Sequence, residues 1–161
     1  MKLAEVRAFM TAQPWGVEAT CSSSGTPQAA VIGVAITDRL ELVFDTLVAS
    51  RKHANLLLRP AIALVIGWDA AITVQIEGAC DQPVGADLAR LRDCYIARFP
   101  DGRDRAASSE VAYWRVRPHW IRYSDFNVDP PVILQWGRED IAAYAGGDRR
   151  YHADRIAEPG R

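Results

Sequence analysis

The hydrophobic pattern opens with Leu3, Val6, Phe9 and Met10 at helical spacing, and Pro14 follows, which predicts a short amphipathic helix closing at Gln13. From Gly16 to Ser22, Val17, Ala19 and Cys21 alternate with Glu18, Thr20 and Ser22, the pattern of a half-buried strand. Ser23-Ser24-Gly25-Thr26-Pro27 is turn chemistry. Gln28 to Thr37 is almost wholly apolar and predicts a strand covered on both faces. Asp38-Arg39 turns the chain into a third strand, Leu40 to Asp45. A helix is expected from Ser50 to Leu58, stopped by Pro60. Then come a buried strand, Ala61 to Trp68, a turn at Asp69 to Ala71, and a strand from Ile72 to Cys80. In that strand Ile72, Val74, Ile76 and Cys80 face one way, and Thr73, Gln75 and Glu77 the other. Ala86 to Phe99 predicts a second long helix, with Leu88, Leu91 and Tyr95 on one stripe. After a charged loop, two strands follow, Glu110 to Arg117 and His119 to Asp125, separated by Pro118.

Past Asp125 the pattern weakens. Asn127 to Pro131 is a breaker cluster, Val132 to Trp136 reads as a short edge strand, and Glu139 to Tyr144 as a short helix. From Gly146 onward the chain is polar and Arg-rich, and is expected to fray. Strands in hairpin-length pairs with short turns favour a mostly β fold. Six or seven mainly antiparallel strands would curl into a barrel with peripheral helices. A doubly wound nucleotide fold is disfavoured, since helices do not alternate with strands and no G-x-G-x-x-G opens a helix.

Composition narrows the partners. With 19 Lys and Arg against 20 Asp and Glu, there is no electrostatic case for nucleic acid or an anionic membrane. Cys21, Cys80 and Cys94 are widely spaced without a C-x-x-C pair, which argues against a disulfide framework or a zinc site. Two of them sit in apolar runs and read as core cysteines of a reducing compartment. No run reaches the roughly 18 apolar residues of a membrane span. The first residues carry Glu5 and Arg7 rather than the apolar stretch of a signal peptide. The expectation is a soluble cytoplasmic protein.

The segment FDTLVASRKHANLLLRP, Phe44 to Pro60, carries the most chemistry. Ser50 stands at the N-cap of a helix, with Arg51 and Lys52 in its first turn. Free N–H groups and the positive end of the helix dipole favour an anion there. Two cations at that end oppose the dipole, and a bound phosphate would offset their cost. Spacing alone allows two solvated surface cations equally well. The strand TVQIEG, Thr73 to Gly78, presents Thr73 and Gln75 on one face, where they could bond a heteroaromatic ring edge or simply face water.

The succession of F-D-T, S-R-K, N-L…R-P and T-V-Q-I-E-G, with W-R-V-R-P-H-W-I-R-Y near the end, resembles the FMN-binding split-barrel proteins related to pyridoxamine 5′-phosphate oxidase. The resemblance covers about Ala19 to Phe126. It implies a split β-barrel of the FMN-binding type over residues 1–126, with 127–161 as an extension packing on the barrel or on a dimer partner. It implies that Arg51 and Lys52, with Ser50 beside them, bind the FMN phosphate, and that Asp45 and Thr46 lie near the flavin and ribityl chain. Main chain of Val31, Ile32, Gly33 and Val34 would lie against the isoalloxazine, and Thr73 and Gln75 would face it. Members are typically homodimers with flavin at the subunit interface, so Trp120 and Arg122 could be contributed by the partner. The departures concern the substrate. The strand AAVIGVA has Ala30 and Ala35 where the vitamin oxidase carries basic residues, and the tail lacks that enzyme's Arg-x-His element. The cofactor carries over and the vitamin substrate does not. A deazaflavin coenzyme is the alternative cofactor.

The remaining candidates have structural readings of equal or greater weight. His53, His119 and His152 show no metal-ligand spacing, and no metal site is expected. Trp114, Trp120 and Trp136 suit a core or interface better than flavin stacking. Tyr95 and Arg98 suit a helix end. No nucleophile elbow, S-x-x-K or paired-carboxylate pattern occurs. The expected function is an FMN-dependent oxidoreductase passing hydride or electrons between a donor, such as a reduced nicotinamide, and a small molecule. The alternatives are a non-catalytic flavin- or deazaflavin-binding module and a deazaflavin-dependent reductase.

Overall fold

A computed structural model describes residues 1–148. Its elements run α1 (Leu3–Ala12), β1 (Trp15–Cys21), β2 (Pro27–Gly33), β3 (Ala35–Ile36), β4 (Leu42–Leu47), α2 (Arg51–Leu58), β5 (Ala61–Ile66), β6 (Ile72–Asp81), α3 (Gly85–Arg98), β7 (Val111–Asp125), β8 (Val132–Trp136) and α4 (Arg138–Ala145). The strands form one sheet in the order β2-β1-β5-β6-β7-β4-β3, with β8 also on β7. Every pairing is antiparallel. The sheet curls into a split barrel with helices at its periphery, the architecture expected from the strand pairs. The frayed tail anticipated from the sequence concerns mainly residues 149–161, which lie outside the described residues.

The barrel interior is apolar. Phe44, Leu64, Ile66, Val74, Ile76, Val116 and Ile121 meet Leu3, Val6 and Met10 of α1 and Ile141 and Tyr144 of α4 in one cluster. A second cluster, Ala35, Val43, Leu91, Tyr95 and Tyr113, seats α3 against the other face of β4 and β7. The alternation along β4 divides it between them: Phe44 and Thr46 point to one side, Val43 and Asp45 to the other.

Three strands depart from their sequence reading. The apolar run from Gln28 breaks after Gly33: β2 pairs with β1, and the two-residue β3 pairs with β4. β2 ends the sheet, and Val31 is 64% exposed instead of covered. Pro118 does not divide β7. It pairs with Gly78, while Trp120 pairs with Glu77, so His119 is an extra residue in a bulge that accommodates the missing proline N–H. Finally, β1 turns its polar positions inward. Glu18 and Thr20 are buried, Val17 and Ala19 are only half-buried, and Cys21 is exposed.

The bulge leaves no room at Gly78. A Cβ there would stand 2.8 Å from both the Arg117 carbonyl oxygen and Val116 Cγ1. Gly78→Ala is expected to cost on the order of 1–3 kcal/mol through overpacking, read as a lower urea midpoint with an unchanged slope.

Candidate anion cleft

The chain leaves β4 through a short turn, closed by Ser50 N–H donating to the Leu47 carbonyl at 2.9 Å, and enters α2. Ser50 caps the helix, its Oγ accepting from the His53 N–H at 3.3 Å. The Thr46 and Ser50 hydroxyls share a hydrogen bond of 3.0 Å, tying the end of β4 to the cap.

The buried side of α2 fixes its rotation. Trp114 Nε1 donates to His53 Nδ1 at 3.2 Å. Asn55 Nδ2 donates to Thr20 Oγ1 at 3.1 Å and to Gln28 Oε1 at 3.0 Å. Arg59, past the helix end, donates to the carbonyls of Ser22 and Ser23 at 2.6 and 3.1 Å, so the β1–β2 hairpin is held against α2. With His53 and Asn55 inward, Ser50, Arg51 and Lys52 form one wall of a cleft of about 240 Å³. Glu18, Thr20, Gln28 and Ala30 are among the residues that form the other. Among the described residues neither Arg51 nor Lys52 forms a salt bridge. Two unpaired cations, a capping hydroxyl and a helix N-terminus make a donor set suited to a phosphate. The residues present therefore fit the phosphate end of a flavin mononucleotide.

The cleft also holds a carboxyl that the alternating pattern did not reveal. Glu18 is 1% exposed and shares a lateral row of the sheet with Leu64, Ile76 and Ile121. Burial pushes its proton affinity up, while the charge of Lys52 and the Thr20 hydroxyl pull it partly back. The available signal was the i, i+2 pairing of Glu18 with Thr20 on one face, but in isolation an acidic residue on an alternating strand reads as solvent-facing.

The other residues singled out from the sequence lie elsewhere. Asp45 points away from the cleft toward α3, where its carboxylate accepts from the Tyr95 hydroxyl at 2.7 Å. Arg105 approaches it at 3.7 Å. Ile32 and Val34 are core residues, and Gly33 lies beneath Phe99 and Tyr95, whose nearest atoms would be 3.0 and 3.2 Å from a Cβ. Thr73, Gln75 and Trp120 lie on β6 and β7, with Trp120 Nε1 donating to Gln135 Oε1 at 3.2 Å. Gln75 and Val31 share one lateral row, Val31–Val17–Val65–Gln75–Arg122, and three strand spacings put them on the order of 14 Å apart. The adjacent row is Ala29–Ala19–Ala63–Glu77–Trp120. Ala29 also lines the cleft, so the cleft opens onto this largely apolar outer face. Trp114 and His53 are buried structural partners, and Arg98 donates to the Ala12 carbonyl at 3.2 Å. Among the described residues no group of three or more His, Cys, Asp or Glu could hold a metal ion, and no helix is long and apolar enough to cross a membrane.

An antiparallel split barrel with a cleft at a helix N-terminus beside its edge strand defines the structural class. The family model described as pyridoxamine 5′-phosphate oxidase matches residues 3–125, and the chain belongs to that family. A pyridoxine/pyridoxamine 5′-phosphate oxidase of Bordetella avium (strain 197N) is 30% identical over 129 residues, covering 74% of this chain but 58% of the relative's length. Among solved structures, a heme binding protein from Mycobacterium smegmatis superposes with a TM-score of 0.74 at 20% identity, over 85% of this chain and 59% of the other. A pyridoxamine 5′-phosphate oxidase-related, FMN binding protein from Nostoc punctiforme PCC 73102 gives 0.64 at 11% identity, over 84% and 88%. At these identities the structural matches speak for the fold.

Proposed function

We propose that the chain is an FMN-binding flavoprotein that works as an oxidoreductase on a small molecule, as a homodimer, in the cytoplasm. The observation that carries the reading is the pair of cations Arg51 and Lys52, in no salt bridge among the described residues, on the Ser50-capped end of α2. Arg51 and Lys52 would hold the phosphate, and the Thr46–Ser50 hydroxyl pair, one of whose protons is committed to their shared hydrogen bond, would add one donor beside it. The bound flavin would supply hydride and electron transfer, which relieves the protein of providing a nucleophile.

The outer face supports the dimer. Val31, Val17, Val65 and the alanines at 19, 29 and 63 form an apolar surface that a second copy would cover, with the flavin between. Thr73, Gln75 and Trp120 would then reach the cofactor across the interface. Cys21, Cys80 and Cys94 are all unpaired, which suits a reducing compartment. The vitamin oxidase reaction is not proposed. Ala30 lines the cleft and Ala35 is buried, and neither offers a cation to a second phosphate.

The purified protein, or the protein mixed with FMN and desalted, is expected to be yellow, with its flavin reduced anaerobically by a nicotinamide donor. A preparation that stays colourless after FMN addition would remove the reading. Bound flavin that no nicotinamide reduces and that turns over no acceptor would make it a binding module.

A further inference from the structure

The carboxyl of Glu18 has no evident structural reason to be where it is. It lies in an otherwise apolar row of the barrel, it is 1% exposed, and its Oε2 has no hydrogen-bond partner among the described residues. Buried polar atoms are nearly always bonded, so an orphaned one lining a cleft points to a missing partner. Its surroundings limit what that partner is. From α2, Lys52 acts on it through its field, but no ion pair forms between them. Thr20 on its own strand offers a hydroxyl, Ala30 of β2 and Leu64 of β5 flank it, and Cys80 of β6 senses its charge. One nearby cation and little solvent leave the ionised form poorly compensated, and a phosphate in the same cleft would repel it.

We infer that Glu18 serves the cleft as a neutral carboxylic acid, donating its O–H in a hydrogen bond to a phosphate oxygen of the ligand, so that binding takes up a proton when the free protein has Glu18 ionised. This rests on the reading of the cleft as the flavin phosphate site. Arg51 and Lys52 supply the charge, and Glu18 makes the grip sensitive to pH. Affinity is full where Glu18 is protonated and falls as pH rises through its titration, by about tenfold for each pH unit above it.

The test is fluorescence titration of FMN and of riboflavin between pH 5.5 and 8.5 against the full chain, Glu18→Gln and Glu18→Leu. The phosphate's own titration is common to all three proteins. Glu18→Gln keeps a donor and carries no charge, so its FMN affinity is expected to lack the additional alkaline fall and to exceed the parent's at pH 8.5. Glu18→Leu, which completes the apolar row, is expected to bind FMN about tenfold more weakly than the parent at the acid end of the parent's profile, where its affinity no longer rises, having lost a charge-assisted hydrogen bond. Identical pH profiles for the parent and Glu18→Gln, with FMN still preferred over riboflavin, would overturn the inference and leave the phosphate site standing. A Glu18→Leu affinity equal to the parent's at that acid end would overturn the donor role. FMN binding no tighter than riboflavin in every protein would overturn the inference and the phosphate site together.

Discussion

Arg51→Ala combined with Lys52→Ala is expected to weaken FMN binding by about 100- to 20,000-fold. Each side chain offers a charge-assisted hydrogen bond to phosphate worth roughly 1.5–3 kcal/mol, and the two together span that range. The fold should not pay for the change. Arg51 is exposed, Lys52 is partly exposed, and neither is in a salt bridge among the described residues. Both oppose the dipole of α2, so their removal is expected to leave the melting temperature of the ligand-free protein unchanged or slightly raised. Titration of flavin fluorescence together with thermal unfolding separates the two effects. Parent-like affinity in the double variant would place the anchor elsewhere.

The second large effect concerns stability and lies on the other side of the barrel. Arg115 of β7 is buried, its side chain 7% exposed. Its guanidinium donates to both Asp81 oxygens, at 3.0 and 2.6 Å, to Glu41 at 3.2 Å and to Asp87 at 2.9 Å. It thereby joins β6, β7, the residue just before β4 and the first turn of α3. Removing one partner of a buried ionic cluster leaves the others uncompensated, at a cost of about 3–5 kcal/mol. Arg115→Ala is expected near the lower end, about 3 kcal/mol, because Asp81 and Asp87 keep solvent access, with exposures of 33% and 50%.

The same variant should change the response to acid. Burial alone would raise the Glu41 carboxyl, but the hydrogen bonds and charges of Arg90 and Arg115 outweigh it and hold it below its ordinary 4.5. A carboxyl depressed in the folded state adds stability above its ordinary value and loses it as pH falls through the folded one. Arg115→Ala should therefore flatten the fall in stability below pH 4.5. Urea midpoints at pH 7 and in steps below pH 5 measure both effects. A loss under about 1 kcal/mol at pH 7 would show that the cluster behaves as an ordinary surface network.

The split barrel was legible because its elements carry strong local signals. Alternation in Ile72–Cys80, the stop at Pro60 and the turn at Asp38-Arg39 each point to the observed element. The cap at Ser50 and the cations after it were legible for the same reason, since capping chemistry lies within one turn of chain. What failed depended on neighbours distant in sequence. Val31 looks like a core residue until β2 is known to end the sheet. Pro118 looks like a strand break until Gly78 is seen opposite it, making space for a bulge. Glu18 looks solvent-facing until α2 is seen packed on that face of β1. Asn55 and His53 gave no local sign of their partners, Thr20, Gln28 and Trp114, because those contacts join residues between 27 and 61 positions apart.

The assignment of the Ser50–Lys52 cleft to a phosphate is the claim on which the functional reading turns. The most direct measurement compares the dissociation constants of FMN and riboflavin for the same preparation, since the two ligands differ only in the phosphate. FMN is expected to bind at least about 100-fold more tightly, the minimum for two charge-assisted contacts. Equal affinities would contradict the assignment.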